Sequence, residues 1–138
     1  MKVIVDTCIW SLALRRRDKS RLSADDHRMI TQLTEAIQYR RAAIIGPVRQ
    51  EILSGIRNQA QFAKTEQTLD SFRDDEITGA DYVEAARLYN FCQDYGVQCG
   101  PVDILICAVA ARNQYGILTS DQALKRCIDL LQSKALLA

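Results

Sequence analysis

Val3-Ile4-Val5-Asp6-Thr7 runs three β-branched apolar residues directly into a carboxylate. Three such residues with no polar residue between them predict a strand covered on both faces, hence a central strand of a parallel sheet. An aspartate that ends a buried strand stands at a strand terminus, where open α/β sheets hold their ligands. Asp6 is therefore the first candidate functional residue.

Outward from this strand, the chain alternates helical and extended segments. Residues 8–14 form a helical turn that leads into a basic stretch. Ser23 with Asp26 three positions later is a capping-box-like start, and Ile30, Leu33 and Ile37 recur at helical spacing, which predicts an amphipathic helix over 24–40. Ala42 to Ile45 is a second short apolar strand. Pro47 after Gly46 opens a helix to about residue 56. Residues 57–74 are helical in flavour, with Phe62, Leu69 and Phe72 as anchors, and Glu76-Ile77 is a minimal third strand. Thr78 with Asp81 starts a helix that Gly96 stops. Asp103 caps an apolar helix to Gln114, Ile117-Leu118-Thr119 is a further strand, and Asp121 opens a helix to about Leu131. Ala135 to Leu137 reads as an edge strand. Short apolar strands alternating with helices predict a single α/β domain over residues 1–138 with a mostly parallel sheet.

Composition limits the function classes. The chain has 138 residues, 48% hydrophobic and 25% charged, the balance of an ordinary globular domain. No stretch approaches the roughly 20 apolar residues of a membrane helix. Met1-Lys2 runs straight into a strand without a signal-peptide apolar region, so a cytoplasmic protein without membrane association is expected. The five cysteines, Cys8, Cys92, Cys99, Cys107 and Cys127, are odd in number and form no C-x-x-C pair; free thiols are expected. Net charge is only +1, yet Arg15, Arg16, Arg17, Lys19 and Arg21 crowd seven positions, a local patch able to hold phosphates.

The acids carry the chemistry. Asp6, Asp103 and Asp121 all fall at strand ends or helix starts, and Glu51 lies on the short helix after the second strand. In a parallel sheet these places share one rim. Carboxylates that converge in one cleft repel one another unless a cation fills the space. All-oxygen ligation suits Mg²⁺ or Mn²⁺, ions that activate water and stabilise the leaving oxygen in phosphodiester cleavage. Such chemistry needs no histidine, and the single His27 lies in the polar first turn of a helix. The chain has no G-x-G-x-x-G or Walker A motif and no Ser-His-Asp set, and Cys8 stands where a D-x-D phosphotransferase would carry its second aspartate.

With these residues in hand, the chain resembles the PIN-domain ribonucleases, and within them the VapC toxins of bacterial toxin–antitoxin pairs. The resemblance rests on residues 3–9, on Pro47-Val48-Arg49-Gln50-Glu51-Ile52-Leu53-Ser54-Gly55-Ile56, on residues 102–108 and on Leu118-Thr119-Ser120-Asp121. It implies a three-layer α/β/α sandwich and Mg²⁺- or Mn²⁺-dependent cleavage of RNA. Carried over by residue, it implies Asp6, Glu51, Asp103 and Asp121 as catalytic and metal-binding acids. Thr7 and Thr119 would orient carboxylates or water behind them. It further implies a homodimer restrained by a small VapB-type antitoxin. Some members carry another acid shortly after the last one; here Gln122, Ala123 and Leu124 follow, which implies a second ion held weakly or brought with the substrate. Arg15, Arg16 and Arg17 would sit near the acidic rim and hold RNA phosphates. Two alternatives stay open: a PIN-like nuclease of RNA maturation or decay without an antitoxin, and a non-catalytic binding module of the same fold. Retention of four acids disfavours the latter.

Overall fold

The computed structural model describes residues 1–14 and 19–138. In chain order the elements are β1 (Val3–Val5), α1 (Thr7–Leu14), a 3-10 turn (Lys19–Arg21), α2 (Ala24–Gln38), β2 (Ala42–Ile45), α3 (Gly46–Leu53), α4 (Gln59–Leu69), β3 (Asp74–Asp75), α5 (Gly79–Asp94), α6 (Pro101–Asn113), β4 (Gly116–Leu118) and α7 (Gln122–Ser133). The expected α/β fold is present: the strands form one sheet in the order β3-β2-β1-β4, with every pair parallel. Helices α1 to α4 contact one another and α5 to α7 contact one another, giving a layer on each side of the sheet.

The strand order follows from burial. Ile4 and Val5 of β1 and Ile44 and Ile45 of β2 are almost completely enclosed. These two strands have no polar face and take the central positions. Helix α6 is apolar nearly all round, with Ile104, Ile106, Cys107, Ala108, Val109 and Ala110 buried, and so is an interior helix. Trp10 is buried under the sheet; its indole N–H donates to the Val5 carbonyl at 3.1 Å, and its ring meets Phe72 edge-on. The capping boxes expected at Ser23 and Thr78 are formed, and Gly96, at φ 74°, ends α5.

Four expectations are corrected. The third strand is Asp74–Asp75 instead of Glu76-Ile77. Arg49 of α3 pulls the chain into place there: its guanidinium donates to Asp74 Oδ1 at 2.8 Å, to the Leu69 carbonyl at 3.0 Å and to the Phe72 carbonyl. Asp103 lies inside the first turn of α6, since Pro101 starts the helix and Gly100 is its N-cap. Ala135 to Leu137 is not a strand. Ala135 turns at φ 58°, the Leu136 N–H bonds back to the Leu131 carbonyl at 2.9 Å, and Leu137 folds into the core. Finally, Cys99 and Cys127 form a disulfide across 28 positions, leaving Cys8, Cys92 and Cys107 as free thiols. Spacing along the chain could not reveal this pair, because the docking of α7 beside α6 creates it. Among the described residues no helix is long and apolar enough to cross a membrane.

Candidate active site

The chain reverses its direction of sheet growth between β1 and β4, its two parallel neighbours in the order β3-β2-β1-β4. Such a reversal opens a crevice beyond the carboxyl ends of the two strands. Asp6 follows β1 at this point, and its N–H still donates to the Leu118 carbonyl of β4 at 2.9 Å. Thr119, Ser120 and Asp121 leave β4 on the facing side.

The structure brings Asp6, Glu51, Asp103 and Asp121 to one cavity of about 590 Å³, which Thr7, Cys8 and Ser54 also line. Each acid arrives on a different element. Asp6 is buried between β1 and α1, Glu51 is exposed on α3, Asp103 is half-buried on α6, and Asp121 is the exposed N-cap of α7. The Asp121 carboxylate accepts from the Ala123 and Leu124 N–H groups at 2.8 and 3.1 Å, so helix capping and site geometry are served by one side chain.

Three of the acids are joined by a continuous hydrogen-bonded path. The Thr7 hydroxyl donates to Glu51 Oε1 at 2.7 Å, and the Thr7 N–H donates to Asp6 Oδ1 at 2.8 Å. The Thr119 hydroxyl donates to Asp6 Oδ2 at 2.7 Å and accepts from the Asp121 N–H at 3.0 Å. Both threonines singled out in the sequence therefore touch the acids. Asp103 stands outside this path. Burial first, then the charges of Asp6, Asp121 and Glu51, push its carboxyl pKa up to about 6. The same interior pushes the Cys107 thiol, one helical turn further along α6, up to about 12, with burial as the main cause.

Cys8 is a residue that sequence reasoning met only as a departure from D-x-D. Its thiol lies 3.4 Å from Asp6 Oδ2, 3.4 Å from the Ser120 hydroxyl and 3.7 Å from the Thr119 hydroxyl. Its spacing of two from Asp6 was the available signal. Arg15, Arg16 and Arg17 lie outside the described residues.

The donor set is entirely oxygen, the set that hard divalent cations take. Among the described residues no three such side chains are already gathered as a cage for an ion. The acids fit an ion that keeps several waters and gains ligands from a substrate, as Mg²⁺ does.

Comparison with known proteins agrees with the fold. A chain in the crystal structure of VapBC2 from Rickettsia felis, bound to a DNA fragment from their promoter, superposes with a TM-score of 0.68 at 16% identity, covering 91% of this chain and 92% of that one. Among curated proteins none matches. The sequence matches the PIN domain family over residues 3–129, nearly the full length, and the chain belongs to that family.

Proposed function

We propose that this protein is an Mg²⁺- or Mn²⁺-dependent endoribonuclease, the toxin of a type II toxin–antitoxin pair. The observation that carries the reading is the convergence of Asp6, Glu51, Asp103 and Asp121, from four elements, on one cavity at the switch point of a PIN-domain sheet. Bound among these acids, the ion would acidify a water and offset charge on the scissile phosphate. The protein's own side chains prepare that site. Thr7 and Thr119 hold the Asp6 and Glu51 carboxylates in fixed orientations. The α7 N-terminus holds Asp121. Asp103, with its raised proton affinity, takes up a proton below about pH 6 when no ion is bound, which relieves repulsion among the acids.

The toxin assignment draws support from the shared fold with VapBC2, whose crystal structure is bound to a DNA fragment from their promoter. In this reading a VapB-type antitoxin restrains the enzyme and the enzyme acts as a homodimer. Tyr82 and Val83 of α5, 54% and 52% exposed, offer an apolar face for such partners. The deciding experiment is cleavage of total RNA with added Mg²⁺ or Mn²⁺, wild type beside Asp6→Asn, with mapping of the new ends. Ion-dependent ends made by the wild type alone support the reading; equal activity in the variant defeats it.

A further inference from the structure

At the other end of the sheet from the acids lies a second cavity, of about 420 Å³. Lys2, which leads into β1, and Ala42, which opens β2, stand at its wall, so it faces the amino ends of the strands. Three cations line it: Lys2, Arg40 just beyond α2, and Arg73 just before β3. The single acid of the lining is Asp75, which, after burial, helps to push the Tyr115 phenol pKa up.

Among the described residues, no ion pair neutralises the three cations of this cleft. Arg28, Arg49, Arg87 and Arg112 each have a carboxylate partner within 3.3 Å. Among the described residues Lys2, Arg40 and Arg73 have none. Lys2 instead lies 6.0 Å from the Tyr115 ring centroid. Next to Arg40, Tyr39 is 66% exposed with the Arg41 guanidinium 5.7 Å from its ring centroid. Ser71 adds a hydroxyl to the lining. Cations without carboxylate partners, a hydroxyl and an exposed tyrosine next to Arg40 in the chain match the needs of single-stranded nucleic acid: phosphates neutralised by Lys and Arg, and bases stacked on π surfaces.

We propose that this cleft is a second RNA-binding site, holding backbone phosphates of the substrate strand away from the bond that is cut. The proposal rests on the ribonuclease reading above. β1 is three residues long, so the two ends of the sheet are separated by only about 10 Å along the strand. One RNA strand leaving the acidic cavity can therefore reach the cleft.

The test is equilibrium binding of a fluorescent single-stranded oligoribonucleotide to the whole protein in chelator, over a series of salt concentrations. The cleft variant carries Lys2→Ala, Arg40→Gly and Arg73→Ala. Arg40 sits at φ 56°, where glycine is at ease, so that change removes charge without straining the turn. A control variant removes three exposed charges elsewhere, Arg28→Ala, Lys64→Ala and Arg87→Ala, and circular dichroism melts verify folding of both. The expected result is about tenfold weaker binding by the cleft variant at 0.1 M salt, and a log–log salt slope shallower by about 2, which is three single-strand phosphate contacts. The control keeps the parental slope. Equal losses in both variants, or no loss in the cleft variant, overturn the proposal. An equal loss with duplex DNA of the same length also overturns it, by making the cleft a general polyanion site. The ribonuclease reading is judged separately by ion-dependent cleavage: a wild type that cuts nothing defeats that reading, whatever the binding slopes are.

Discussion

The Thr119 hydroxyl donates to Asp6 Oδ2 at 2.7 Å across 113 positions of chain, at a place where Asp6 is 5% exposed and Thr119 6%. This bond fastens the ends of β1 and β4 together and keeps a buried carboxylate satisfied. Thr119→Val removes the donor at nearly constant volume. It should cost about 1–3 kcal/mol of stability, because a buried acceptor is left with only the weak Cys8 thiol donor. Cleavage should fall with it, while Thr119→Ser should recover most of both. Chemical denaturation and cleavage rates for the pair of variants check this; a Val variant as stable and active as wild type would remove Thr119 from the account.

Asp103 and Asp81 predict opposite responses to pH. The Asp103 pKa is raised to about 6, so the folded state binds this proton more tightly than the unfolded state does. The contribution is fully favourable below the unfolded value of 3.8 and is lost as pH rises through about 6. In chelator, stability measured by denaturation should therefore carry a component that declines between about pH 4 and 6. Asp103→Asn should abolish that component.

Asp81 is buried, and its carboxylate is gripped by the Arg112 Nε and Nη2 atoms at 2.6 and 2.8 Å. The hydrogen bond from Arg112 is the main cause that holds its pKa below 3.8. Its stabilisation is present above that value and is lost as pH falls through the depressed folded value. Asp81→Asn should cost about 2 kcal/mol, the scale for a hydrogen bond to a charged group, since the Arg112 side chain is 41% open to water. The variant's urea midpoint should also become less sensitive to acid than the wild type's.

The Cys99–Cys127 disulfide ties the segment before α6 to the middle of α7, the helices that carry Asp103 and Asp121. Closing a loop of this length is worth about 2–4 kcal/mol. Reduction by dithiothreitol, or Cys127→Ser, should lower the melting temperature of the wild type. The two treatments should not add; additive losses would show that the bridge is not the cause.

Local order was legible in the sequence. Val3-Ile4-Val5 announced a central parallel strand, and Ala42 to Ile45 a second strand, because buried strands leave no polar alternation. Ser23 and Thr78 announced helix starts because capping is a local hydrogen-bond matter. Asp6, Asp103 and Asp121 were candidates from their places at strand ends and helix starts, and Glu51, on the helix after the second strand, joined them through the resemblance to the PIN family. What depended on distant partners was not legible. β3 moved to Asp74–Asp75 because Arg49 reaches it from α3. Cys99 found Cys127 because two helices pack together. The cations of the rear cleft were scattered at positions 2, 40 and 73. The same division applies to Asp6. By itself the sequence determined that a carboxylate follows a buried strand. Only the tertiary structure decided that Thr119 holds its Oδ2, opposite the neighbouring Thr7 N–H on Oδ1, since a bond across more than a hundred residues exists only once the sheet has closed.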